Sequence, residues 1–177
     1  MFKVVGSPAS WVLSREDKLQ DRDTVLYEID MLRFTHDRMH RLLGGAQKGQ
    51  EGDLWAYLES FLLHYRNLIE FFGKSSSDQT NLTILRPEVI SPNPKDRPSN
   101  AELAKMQEIG KRLRQKYEDR KMMDDTISRY LQHCTTFRTG FKEWYIDEMM
   151  IDVWELLELF EKHNPEFKPA TYSVSLG

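Results

Sequence analysis

The residues of this chain best placed to do chemistry are His36 and His40, in the run His36-Asp37-Arg38-Met39-His40. Two imidazoles four residues apart share one face of a helix, as in the zinc-binding H-E-x-x-H pattern, with aspartate where that pattern carries its glutamate base. A hydrolytic zinc centre also needs a third protein ligand and a base long enough to reach metal-bound water. Asp37 is one methylene shorter than glutamate, and no later His or Glu stands at a recognisable spacing. His36 and His40 are therefore metal candidates without a completed ligand set. The expectation is that His36 continues an apolar helical stripe, that His40 sits on its shoulder, and that there is no metal or other cofactor. A di-iron bundle would need two Glu-x-x-His pairs, and the chain has none.

A second set is His64, Arg66 and Asn67, inside the densely apolar segment Tyr57 to Phe72. On a helix, His64 flanks the apolar face, Asn67 lies further round and Arg66 falls on the other side, so one helix does not aim all three at one ligand. The bland expectation is that His64 and Asn67 bond to a neighbouring element while Arg66 pairs with Glu59 or Glu70. A third set, His133-Cys134-Thr135-Thr136-Phe137-Arg138, falls where a helix should end. There a His and an Arg are favourable against the helix dipole without any further role. Cys134 has no neighbour that would lower its pKa and reads as a core filler. Gly73-Lys74-Ser75 echoes the end of a phosphate-binding loop, but residue 68, where the first glycine belongs, is Leu.

The elements that must position these groups are helices. Apolar residues recur at three- and four-residue steps in four long stretches: about Glu16 to Leu43, Gly52 to Phe72, Ala101 to Cys134 and Lys142 to His163. In the first, Val25, Ile29, Leu32, Met39 and Leu43 form the stripe, stopped by Gly44-Gly45. In the second, Leu58, Phe61, Leu62, Tyr65, Leu68, Ile69 and Phe72 make a face wide enough to be covered on more than one side, with Gly73 as the residue past its end. The third opens on Ser99 or Asn100 as N-cap, with Glu102 in its first turn, and has a weak joint over Glu118 to Lys121. The fourth buries Ile146, Met149, Met150, Val153, Leu156, Leu157 and Phe160. Its acids (Asp147, Asp152 and Glu155 among them) face the basic run of the third (Lys111, Arg112, Lys116), which reads as two solvated faces attracting one another.

The pattern predicts an all-α fold, a four-helix-type bundle with one long loop between helices two and three. One domain of 177 residues is expected, with 1–15 an irregular lead-in, 73–99 the long loop and 165–177 a short tail. Loops beyond about 15 residues are usually functional or disordered; within this one, Leu82, Ile84, Leu85, Val89 and Ile90 have the character of a short strand or of a segment lying flat on the bundle. A net charge of −3 speaks against a generic polyanion binder. With a single cysteine and no apolar leader or membrane-length run, the expected location is cytoplasmic, away from membranes.

His64-Tyr65-Arg66-Asn67-Leu68 with Phe71-Phe72 resembles an H-x-R-N-L-x-x-F-F pattern of uncharacterised bacterial helical proteins, whose later H-x-T-x-x-R is similar to His133, Thr135 and Arg138. More distantly, an Arg-Asn pair on a bundle helix is similar to the HEPN superfamily. That resemblance implies an RNA- or nucleotide-binding domain or metal-independent ribonuclease using Arg66, Asn67, His133 and Arg138, with the arginines on phosphate and His133 as general acid or base. The family's ribonuclease signature is Arg, four to six residues, then His. Here Arg129 and His133 leave three between, and no His follows Arg66 within reach. Such a site would also require helices two and three to run parallel. The favoured expectation is a non-catalytic module that associates with itself or with another protein, using Trp55, Trp144 and Trp154 as anchors where exposed.

Overall fold

The computed structural model describes residues 2–5, 12–15, 21–45, 51–73, 84, 87–91, 93–119, 127, 131 and 143–165. Helices α1 (Asp21–Gly45), α2 (Glu51–Gly73), α3 (Asn100–Asp119) and α4 (Ile146–Lys162) build an all-α bundle. The lead-in departs from expectation. Phe2–Val5 (β1) and Val12–Arg15 (β2) pair as an antiparallel hairpin, with Phe2 opposite Arg15 and Val5 opposite Val12. The alternation Val-Leu-Ser-Arg is short and β-branched at its start, a pattern too brief to be told from coil by periodicity.

Each helix buries the face its spacing defines. Val25, Leu26, Ile29, Leu32 and Met39 of α1 are in the core, but Leu43 is 64% exposed, so the stripe stops one turn short of Gly44. Thr35 lies buried in the same stripe because its hydroxyl donates back to the carbonyls of Met31 and Leu32, at 2.8 and 3.0 Å. On α2, Phe61, Leu62, Tyr65, Leu68, Ile69, Phe71 and Phe72 are all buried. A face this broad is covered by α1 on one side and α3 on the other, and each such side chain withdrawn from water stabilises the fold by roughly 1.5–3 kcal/mol. α3 contributes Met106, Ile109, Leu113 and Tyr117, and α4 contributes Met149, Met150, Val153, Leu156, Leu157 and Phe160.

Neighbouring helices run antiparallel. Phe34 of α1 meets Tyr57 of α2, while Tyr27 and Glu28, two turns earlier, meet His64. Tyr65 of α2 meets Tyr117 of α3, while Phe72 and Gly73 meet Gly110. Lys105 and Lys116 of α3 pair with Glu155 and Glu148 of α4, and α4 returns to α1 through Arg33 with Glu161 and His36 with Asp147. The result is an up-down-up-down bundle.

The crossing of α2 and α3 explains Gly73. Its backbone is not in the left-handed region expected of a residue that terminates a helix. A Cβ on it would stand 2.7 Å from the Gly110 carbonyl oxygen, and a Cβ on Gly110 would stand 2.7 Å from the Phe72 carbonyl carbon. Two glycines let the backbones touch.

Part of the 73–99 segment packs on the bundle, while residues 93–96 are exposed. Ile84, Val89 and Ile90 are buried, Pro87–Ile90 form one helical turn, and the Ile84 amide donates to the Phe71 carbonyl at 3.2 Å. The Ser99 alternative for the N-cap is the one realised. Its hydroxyl accepts from the Glu102 amide at 3.3 Å while the Glu102 carboxylate accepts from the Ser99 amide at 2.9 Å, a reciprocal capping box. α4 begins at Ile146, four residues later than expected. Of the joint expected over Glu118 to Lys121, Glu118 and Asp119 are still helical and the other two lie outside the described residues; Ile127 and Leu131 are helical, and Ile127 is in the core.

Candidate functional site

The third ligand that the His36–His40 pattern lacks in sequence comes from α4. Asp147 Oδ1 lies 2.9 Å from His36 Nε2 and 2.6 Å from His40 Nε2. The two imidazoles, one helical turn apart, stand 4.6 Å between centroids. One ligand atom from each of His36, His40 and Asp147 falls within 4.8 Å of the others, the one such His/Cys/Asp/Glu group among the described residues. His36 is the half-buried member, backed by the Phe61 ring at 6.1 Å, while His40 and Asp147 are open to solvent. The bond from His40, then that from His36, holds the Asp147 carboxyl below its usual range. Asp37 does not take the place of a zinc-protease glutamate. It turns to Arg41, 2.9 Å away along α1.

His36 and Asp147 also form one end of an open groove of about 520 Å³ that runs along α4 past Met150, Ile151, Trp154, Glu155 and Glu158. Ile151 is 74% and Trp154 44% exposed, one turn apart on the same face. The Trp154 ring is held in place: its Nε1 donates to Glu158 at 2.7 Å, and the Arg33 guanidinium lies 4.9 Å over it. Of the other tryptophans named above, Trp55 is exposed and Trp144 is half-buried.

The second sequence constellation divides. His64 and Asn67 converge, which the helix wheel alone did not reveal. Glu28 Oε2 of α1 lies 2.7 Å from His64 Nδ1 and accepts from Asn67 Nδ2 at 3.0 Å. His64 is buried, with Tyr27 edge-on to its ring at 5.7 Å. Arg66 turns away and pairs with Glu70 at 3.1 Å. The group therefore ties α1 to α2 and faces its polar atoms inward. Glu28 was missed in the sequence, although an acid between Val25 and Ile29 in an apolar stripe is the signal that points to it. Asp147 had no such signal, being one of many acids on its helix.

His133, Cys134 and Arg138 lie outside the described residues. Over the described residues α2 and α3 run antiparallel through Tyr65–Tyr117 and Phe72–Gly110, where a single site with Arg66 was expected to need them parallel.

The opposed charges of α3 and α4 meet directly. Lys105 reaches Glu155 at 3.0 Å, and Lys116 reaches Glu148 at 3.0 Å and also Asp152. Burial would pull the Lys116 ammonium down, but its bonds to Asp152 and Glu148 outweigh this and raise it above the usual lysine value. The Tyr117 hydroxyl donates to Asp152 at 2.7 Å. Burial raises both Tyr117 and its neighbour Tyr65 above the ordinary phenol range.

Among the described residues no helix is long and apolar enough to cross a membrane. No family model matches the chain, and neither a curated protein nor a solved structure matches it.

Proposed function

We propose that this bundle is a non-catalytic interaction module that docks a protein segment in the groove along α4. The observation that carries this is the exposure of Ile151 and Trp154 side by side over Met150, with Asp147, Glu155 and Glu158 on the rim. The broad apolar face of helix α2 is consumed by the core. An aromatic ring already oriented by Glu158 and Arg33 loses little side-chain entropy on binding, which favours it as an anchor. Acidic rims select the occupant: an amphipathic helix presenting an aliphatic side chain between lysines or arginines. A second copy bound face to face through this groove would bring like-charged rims together, so a different protein is preferred over self-association.

The test is anisotropy of a labelled leucine–lysine amphipathic peptide titrated with the full chain. Saturable binding is expected, weakened at least tenfold by Ile151→Glu and by Trp154→Ala, with a leucine–glutamate peptide not bound. Equal binding by wild type and both variants, or none, would overturn the reading. The nuclease alternative gains no support from a described residue, because Arg66 is engaged by Glu70 and Asn67 by Glu28. Equal RNA breakdown by wild type and His133→Ala would remove it.

A further inference from the structure

We infer that His36, His40 and Asp147 form a binding site for a divalent transition-metal ion of the zinc class. The inference needs no docked peptide. Its donors are two Nε2 atoms, from adjacent turns of α1, and one carboxylate oxygen from α4, brought together across 107 and 111 residues of sequence. Both nitrogens face the same oxygen, at 2.9 and 2.6 Å. As hydrogen bonds alone, the two contacts require both rings to carry their proton on Nε2 and one oxygen to accept twice. A single cation satisfies all three atoms at once. Metal–ligand distances of about 2.0–2.2 Å in a tetrahedral site set ligand atoms roughly 3.3–3.5 Å apart. The two N–O separations reach that by an opening of less than about 1 Å, which Asp147, two-thirds exposed, has the freedom to supply, and the two ring nitrogens lie within 4.8 Å of one another.

The donor set selects the ion. Two imidazoles and one carboxylate suit zinc, cobalt or nickel, whereas calcium and magnesium prefer all-oxygen shells. Three protein ligands leave the fourth position of a tetrahedral ion to water or to another exchangeable group. His36 and Asp147 also line the groove of α4, so an ion here would stand at its end. Asp37 is turned to Arg41 and supplies no ligand.

The experiment uses the full chain, stripped with chelator, and the metal alone. Zinc is followed by calorimetry and cobalt by its visible d–d absorption. One ion per chain is expected, with the intense absorption of a four-coordinate cobalt centre. His40→Ala and Asp147→Asn should each weaken binding at least about tenfold, the scale on which even groups behind the ligands act. His36 is half-buried, so His36→Gln is used, its fold checked by circular dichroism. Asp37→Asn, on the same turn, should bind as wild type does. No saturable binding overturns the inference, as does binding that survives both His40→Ala and Asp147→Asn.

Discussion

Glu28 Oε2 lies 2.7 Å from His64 Nδ1, and the same oxygen accepts from Asn67, so one carboxylate of α1 holds two polar residues of the most apolar helix. Removing it leaves a buried imidazole and an amide without their acceptor. Glu28→Ala should cost about 1–3 kcal/mol in urea unfolding, the scale for orphaned buried polar groups, and Glu28→Gln should cost less. The double variant with His64→Ala should lose less than the sum of the single losses. Strict additivity would show that the two residues do not act together.

Gly110 inverts the usual rule for glycine in a helix. Alanine normally gains roughly 1 kcal/mol there. At Gly110 the added Cβ meets the backbone of Phe72, and overpacking costs typically about 1–3 kcal/mol. Gly110→Ala should therefore lower Tm, and a raised Tm would mean that the helices separate freely at this crossing.

The capping box gives an acid-limb signature. Its bond with Lys162, then those with the Ser99 amide and hydroxyl, pull Glu102 down to about 2 from 4.5. A depressed carboxyl stabilises the fold fully above its unfolded value and loses that contribution as pH falls through the folded one. Glu102→Gln should thus be less stable than wild type at neutral pH, and the two stability curves should converge as pH drops from 4.5 toward 2. Ser99→Ala should cost about 1 kcal/mol at neutral pH, and part of that loss should fade toward pH 2, because the hydroxyl also donates to the Glu102 carboxylate.

Tyr65 and Tyr117 set the alkaline limb. Burial, the largest cause for both, raises each above 10.0, so the neutral phenols contribute stability that is complete below pH 10 and lost as pH rises beyond it. Of the seven tyrosines, these two should resist ionisation in an absorbance titration until the bundle unfolds. Normal ionisation of all seven while the helical signal persists would contradict this. Tyr117→Phe should lose about 1 kcal/mol with its bond to Asp152.

What the chain determines by itself is local. The buried faces of α2 and α4, the Ser99–Glu102 box and the i,i+4 pair of Arg66 with Glu70 all follow from three- and four-residue spacing, because a helix fixes those neighbours wherever it sits. The all-α bundle follows from the same periodicity. The hairpin at the start is too short to signal itself, and Leu43 fits the stripe by spacing although the helix has already run past the core. Three relationships were decided by tertiary structure alone: Glu28 beneath His64, Gly73 against Gly110, and Asp147 across from His36 and His40. Each depends on the axial register between antiparallel helices, which is set by how whole faces interlock. No spacing within one helix encodes it.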